Sequence, residues 1–220
     1  MNRLLVWVGM LTTLIVPAWS NPIVLNPGFE MDVLWSPFLG DGTTVPDWTY
    51  AVGPNGGAAL AHWAVGYSDG GGSVTTAGQG NEFVSVGSGN NPFGPGIFAS
   101  WSQDVSGFTV GVQYTLSFMI AGENTNLFWP IEAEVIDTST QSEFFAAPAS
   151  SADYFRTWQT VTMVFTANAA TEEISFTSPT VLGVGIDNVS IQPTPEPGTW
   201  SLLGPGIAAL ALLRRATRRA

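Results

Sequence analysis

The chain has 220 residues, of which 45% are hydrophobic and 10% charged, with no cysteine, one histidine and a formal net charge of −11. So acidic a balance excludes nucleic acid and anionic membrane surfaces as natural partners, and the lack of cysteine excludes disulfides as the means of holding shape. With His62 the sole histidine and no lysine present, neither a histidine-based zinc site nor a Cys–His pair can be built.

The chain opens on Arg3 and an apolar run from Leu4 to Val16, followed by Pro17 and Ala18-Trp19-Ser20. A basic start, an apolar stretch and small residues before a break define a secretory signal helix over residues 1–20. Signal peptidase would then leave a mature chain beginning near Asn21. Residues 21–193 contain one base, Arg156, against sixteen Asp and Glu, a formal charge of −15. About 173 residues suffice for one domain with a sizeable core.

No long helical periodicity appears in this middle region. Short segments rich in Val, Ile, Thr and aromatics alternate with Gly, Asn, Pro and Ser clusters, which predicts an all-β domain. In chain order the expected strands are Trp48–Val52, Ala59–Val65, Glu82–Val86, Ile97–Val105, Tyr114–Ile120 and Ile131–Ile136. They continue with Glu143–Ala146, a strand starting near Thr157, Glu173–Ser178 and Gly185–Ile191. Tyr114, Leu116, Phe118 and Ile120 alternate cleanly toward a core, as do Val161, Met163 and Phe165. About ten strands at this spacing predict two packed antiparallel sheets, a β-sandwich or jelly roll, with a closed barrel as the alternative. The stretches Gly53–Gly57, Asp69–Gly72 and Gly87–Gly96 read as loops.

Residues 194–220 form a distinct tail. Pro195-Glu196-Pro197-Gly198-Thr199 precedes an apolar run from Trp200 to Leu213, and Arg214, Arg215, Arg218 and Arg219 close the chain. The run is shorter than the roughly 20 residues that span a bilayer, and Gly204-Pro205-Gly206 interrupts it. The arginines would stay on the cytoplasmic side. A short hydrophobic helix of this kind is expected to hold the membrane only transiently, as a processing signal.

In these residues the tail resembles the PEP-CTERM sorting signal. The resemblance implies that a membrane transpeptidase, exosortase, cuts at Pro195-Glu196-Pro197 and passes the protein to the envelope surface or extracellular matrix of a bacterium. The middle domain carries a second resemblance in collinear order. Asn26-Pro27-Gly28-Phe29-Glu30 comes first, then Val45-Pro46-Asp47-Trp48, Glu82-Phe83-Val84-Ser85-Val86 and Ser102-Gln103-Asp104-Val105. Gly111-Val112-Gln113-Tyr114-Thr115-Leu116-Ser117-Phe118, Trp158-Gln159, Phe165-Thr166-Ala167 and Gly185-Ile186-Asp187-Asn188-Val189-Ser190-Ile191 follow. That order is similar to galactose-binding-like jelly rolls, including many carbohydrate-binding modules.

Such modules often hold a structural calcium at two acidic positions, which the resemblance places at Glu30 and Asp187. Calcium takes 6–8 oxygen ligands and accepts carboxylates together with backbone carbonyls. The alternative is that both are exposed loop acids or acceptors of strand-end N–H groups. Asp187 shares parity with Val189 and Ile191, whereas Val184 and Ile186 lie on the other parity, so its face is open.

Sugar rings stack their C–H faces on flat aromatics while acids and amides take the hydroxyls. Six tryptophans remain between the two ends: Trp35, Trp48, Trp63, Trp101, Trp129 and Trp158. Trp48, Trp101 and Trp158 read as core. Trp129, beside Phe128 in a loop, and Trp63, near His62 and Tyr67, are the stacking candidates. No Gly-x-Ser-x-Gly elbow frames a nucleophile. Glu132, Glu134 and Glu143 could pair for glycoside cleavage, but Glu132 and Glu134 read as a solvated sheet face. The sequence therefore predicts no catalytic residues and an exported, polysaccharide-associated binding module. A matrix or adhesion protein without a specific glycan site, and a secreted glycoside-acting enzyme, are the alternatives.

Overall fold

The computed structural model describes residues 21–30, 45–52, 61–64, 77–87, 99–122, 129–136, 139–149, 155–178 and 183–194. The signal segment and the sorting tail, including Pro195, Glu196, Pro197 and the arginines at 214, 215, 218 and 219, lie outside these residues, as do Phe128 and Tyr67.

Among the described residues ten strands form: β1 Thr49–Val52, β2 Ala61–Ala64, β3 Glu82–Val86, β4 Ala99–Ser106, β5 Gln113–Gly122, β6 Trp129–Ile136, β7 Gln141–Ala147, β8 Gln159–Thr166, β9 Thr171–Ser178 and β10 Val184–Pro193. They make two five-stranded sheets, β1-β4-β9-β6-β7 and β2-β3-β10-β5-β8, with every neighbouring pair antiparallel. The architecture is a two-sheet jelly-roll sandwich, not a closed barrel.

Alternation drives the packing. In β5, Tyr114, Leu116, Phe118 and Ile120 are fully buried, and β6 sends Ile131, Ala133 and Val135 into the same core. Facing rings interlock across the gap. Phe118 stands 4.8 Å from Phe176 and 5.3 Å from Phe145, and Trp48 stands 4.6 Å from Phe29, centroid to centroid. Trp101 of β4 reaches across the sandwich, donating its Nε1–H to the Ser85 carbonyl of β3 at 3.2 Å. At one end Phe108, Tyr114 and Phe165 close the core, and the Tyr114 hydroxyl accepts the Thr109 N–H at 2.9 Å.

The segment before β1 is tied down by a turn that its residues dictate. Val45-Pro46-Asp47-Trp48 places proline second and Asp47 third with φ 69°, and the Trp48 N–H closes on the Val45 carbonyl at 3.1 Å. Proline followed by a residue at positive φ is the signature of a type II turn.

A second, smaller apolar layer lies on the outside of the β2-β3-β10-β5-β8 sheet. Phe83, Ala121 and Phe155 are buried there, with Trp158 packed against them. Trp158 is thus core-like, as its sequence context suggested, but in this outer layer and not between the sheets. Gly185 makes room for it: a Cβ there would meet Phe155 at 2.9 Å and Trp158 at 3.0 Å.

A β-bulge in β10 settles the face of Asp187. Asp187 pairs with Met119 and Ser190 with Ser117, so three steps along β10 match two along β5. Asn188 absorbs the extra residue at φ 50°. The bulge flips the parity, so Val184, Ile186, Val189 and Ile191 all enter the main core while Asp187 takes the outer side with Gly185.

Candidate functional site

Two constellations are assembled from the described residues. The first joins the opening segment, the 77–82 segment and the β10 bulge. Asp187 is fully buried, and its Oδ1 accepts the Asn188 N–H at 2.6 Å while Oδ2 accepts the Gln79 N–H at 2.7 Å. Glu30, exposed, accepts the N–H groups of Asn81 at 2.8 Å and Glu82 at 3.3 Å, both on Oε1. A Cβ on Gly28 would stand 3.6 Å from both Asp187 Oδ1 and Glu30 Cγ, which brackets the two acids on either side of that backbone. Gly80, at φ 68°, passes so near Glu30 Oε1 that a side chain there would overlap it. The expected pair Glu30 and Asp187 is therefore brought together, Glu30 accepting N–H groups at the start of β3 and Asp187 those of Gln79 and of Asn188 at the β10 bulge.

Burial pushes the Asp187 carboxyl up from 3.8 to about 6; the N–H bonds from Gln79, Asn188 and Gly78 oppose that rise, and the nearby Glu30 charge adds to it. Among the described residues no group of three or more His, Cys, Asp or Glu is placed to hold a metal. The fit to calcium rests on other grounds. Two carboxylates lie near one another, Asp187 buried with its charge disfavoured, and Glu30 Oε2 has no hydrogen bond among the described residues. Carboxylate oxygens are donors that calcium accepts. Arg156, the only base of the domain, is exposed.

The second constellation is the outer face of the β1-β4-β9-β6-β7 sheet. Strand register lines up Thr49, Ser102, Ser175, Glu134 and Ser142 in one row across all five strands. Adjacent strands lie about 4.8 Å apart; Thr49 and Ser142 at the two edges are exposed and Glu134 is half-buried, whereas Ser102 and Ser175 are buried. Beside it run Asp104, Glu173 and Ile136 on one flank and Thr177, Glu132 and Phe144 on the other. Thr177 donates its hydroxyl to Glu134 Oε2 at 3.0 Å, and Phe144 is 60% exposed at the β7 edge. At the β1 end the face sinks into a cleft of about 390 Å³ lined by Leu25, Asp47, Thr49, Ser102, Gln103, Asp104 and Glu173.

Gln103 builds that cleft. Although buried, it spends its whole amide on the rim: Oε1 accepts the Leu25 N–H at 2.9 Å, and Nε2 donates to the carbonyls of Leu25 at 2.9 Å and Asp47 at 2.8 Å. Gln103→Ala is expected to destabilise the fold by about 1–3 kcal/mol, because three backbone groups lose their partner. Denaturant midpoints of the variant and the parent test this, and an unchanged midpoint would show the clamp to be idle.

The structure redistributes the other sequence candidates. Glu132 and Glu134 do share one face, opposite the buried Ile131, Ala133 and Val135. Glu143 does not join them. It sits opposite Ala133, on the core-side parity of edge strand β7, yet remains exposed. A charge at that place keeps a sheet edge from pairing with another. Trp129 is not in a loop: it is the first residue of β6, opposite Ala147. Trp63 lies in β2 opposite Phe83. The Asp47–Asp104–Glu173 cleft was missed by sequence reasoning. Its signal was the polar outward parity of β4 and β9 beside the Val-Pro-Asp-Trp turn.

No protein-family model matches the chain, and no curated protein does. Among solved structures, the chain is similar to TmCBM61, described in complex with β-1,4-galactotriose, at 18% identity with 80% of this chain and 100% of that one covered, TM-score 0.49. It is similar to the CBM22-1 xylan-binding domain of Paenibacillus barcinonensis Xyn10C, at 14% identity over 80% of this chain and 97% of that one, TM-score 0.47. A third is the K1 cleaved adhesin domain of Lys-gingipain from Porphyromonas gingivalis, at 14% identity over 68% of this chain and 92% of that one, TM-score 0.47.

Proposed function

We propose that this chain is an exported, non-catalytic β-sandwich that binds polysaccharide across the outer face of its β1-β4-β9-β6-β7 sheet. The observation that supports this best is the register-aligned row Thr49, Ser102, Ser175, Glu134 and Ser142, in which the exposed Thr49 and Ser142 and the half-buried Glu134 offer hydroxyls and a carboxylate along one line of the sheet. A glycan chain presents hydroxyls along its length, and acids and hydroxyls fixed on a rigid sheet take them without loop ordering. Exposed Phe144 offers a ring on which the C–H face of a sugar stacks. The acids there act as hydrogen-bond acceptors, not as an acid–base pair.

In the same reading, Glu30 and Asp187 hold a structural calcium. The ion would supply positive charge to the buried Asp187 and brace the opening segment against the β10 bulge. The leader and the Pro195-Glu196-Pro197 tail make signal peptidase and exosortase the handlers of the chain, and the bacterial envelope surface its destination.

Binding of the full chain to a panel of soluble polysaccharides, followed by affinity electrophoresis, tests the glycan reading. Glu134→Ala and Phe144→Ala are each expected to weaken retardation about fivefold or more, the scale of one lost charged hydrogen bond or ring contact. Retention that survives both changes would overturn the sheet-face site, and absence of binding to every glycan would overturn the function.

A further inference from the structure

The cleft at the β1 end of the polar face carries more negative charge than hydroxyl recognition uses. Asp104 and Glu173 stand directly opposite one another on β4 and β9, and Asp47 projects from the turn before β1 into the same lining. Like charges placed directly opposite on a sheet repel. Among the described residues no base lines the cleft, and the carboxylates of Asp104 and Glu173 have no hydrogen bond or ion pair. At the lining stands Ser102, only 9% exposed, with a hydroxyl that has no partner among the described residues. Ser102 is buried as a residue while its hydroxyl opens on the cleft, where it is free to bond an incoming group.

The occupant must be cationic, small enough for about 390 Å³, and rich in hydroxyls. The three acids lining the cleft do not gather into a metal-ligating group among the described residues. Three spread carboxylates instead match an ammonium group carried on a ring whose hydroxyls reach Thr49 and Ser102, while half-exposed Leu25 offers an apolar wall. We propose that this cleft is a subsite for a protonated amino sugar within the bound polysaccharide. The inference rests on the glycan reading above and narrows it to glycans bearing free amines. Asp47, Asp104 and Glu173 take the ammonium, and Gln103 acts as a positioning residue that fixes Leu25 and Asp47 on the rim.

The test is a titration of the full chain with oligomers of glucosamine, their N-acetylated counterparts and neutral glucose oligomers, at a pH where the amine is protonated. The glucosamine oligomers are expected to bind at least about tenfold tighter than the N-acetylated ones, and added salt should shrink that preference. Asp104→Asn combined with Glu173→Gln should abolish the preference while leaving the melting temperature at or above that of the parent. N-acetylated and neutral oligomers binding as well as the amines would overturn the subsite and leave glycan binding standing. No binding to any of the three, together with none on the polysaccharide panel, would overturn both. An arginine-rich peptide binding as tightly as the amino sugar would overturn the sugar assignment in favour of simple charge attraction.

Discussion

Trp101→Ala is expected to lower the stability of the domain by about 3–5 kcal/mol, the range for deleting a fully buried large aromatic. At about 2–4 °C per kcal/mol for a domain of this size, the melting temperature should fall by roughly 10 °C or more. The size of the effect follows from where the ring sits. It is completely buried, lies 6.5 Å from Phe29 and 5.6 Å from Tyr50, and its Nε1–H spans from one sheet to the Ser85 carbonyl of the other. Trp101→Phe separates the terms, since it keeps most of the ring and loses that hydrogen bond; it should cost about 1–2 kcal/mol. Phe144→Ala, on an exposed side chain, should stay within about 0.5 kcal/mol. A Trp101→Ala variant that melts with the parent would mean the two sheets are not held together as described.

The second large effect concerns Asp187. Its carboxyl titrates near 6 in the folded state against 3.8 ordinarily, so the folded protein holds a proton that the unfolded chain has released between those values. Stability in chelator is therefore greatest below about pH 4 as far as this group is concerned, and is lost as pH rises through about 6, by about 1–3 kcal/mol. Subtracting the pH profile of Asp187→Ala isolates this contribution from the self-repulsion of an acidic protein. Calcium should reverse the trend, because only the ionised carboxylate ligates it. At 100 times its dissociation constant the ion would add about 2.7 kcal/mol near neutral pH. Glu30→Ala should remove that gain without erasing the pH dependence in chelator. Melting curves from about pH 4 to 8, with calcium and with EDTA, measure both. A flat difference profile would show that Asp187 stays charged, and identical curves with and without calcium would remove the ion from the account.

Strand positions were legible because each strand has one dry and one wet face, and alternation records that directly. β5 is the clearest case, with Tyr114, Leu116, Phe118 and Ile120 all buried as the pattern predicts. Asp187 was illegible for the same reason in reverse. The bulge at Asn188 adds one residue, so a period of two read from Val189 and Ile191 gives the wrong face one step earlier. The pair Glu30 and Asp187 was found through resemblance alone, since the two are far apart in sequence. Trp158 was read as core, but a period cannot distinguish a main core from a second apolar layer outside a sheet. The cleft needed three-dimensional placement. Asp47, Asp104 and Glu173 meet only once β4 lies between β1 and β9.

The order of strands also decides how the domain bears tension. Among the described residues β10 is the last strand and a central one, bonded to β3 on one side and to β5 on the other. Past its end, the Thr194 N–H still donates to the Gln113 carbonyl at 2.8 Å, and its hydroxyl meets that of Thr115 at 3.0 Å. A pull on the chain beyond Thr194 therefore runs first along the β10–β5 ladder from Pro193 to Val184, and β3 adds its bonds only at Val184–Ile186. A load applied at that end would thus be carried in shear by β5 before it reached the three residues that β10 shares with β3.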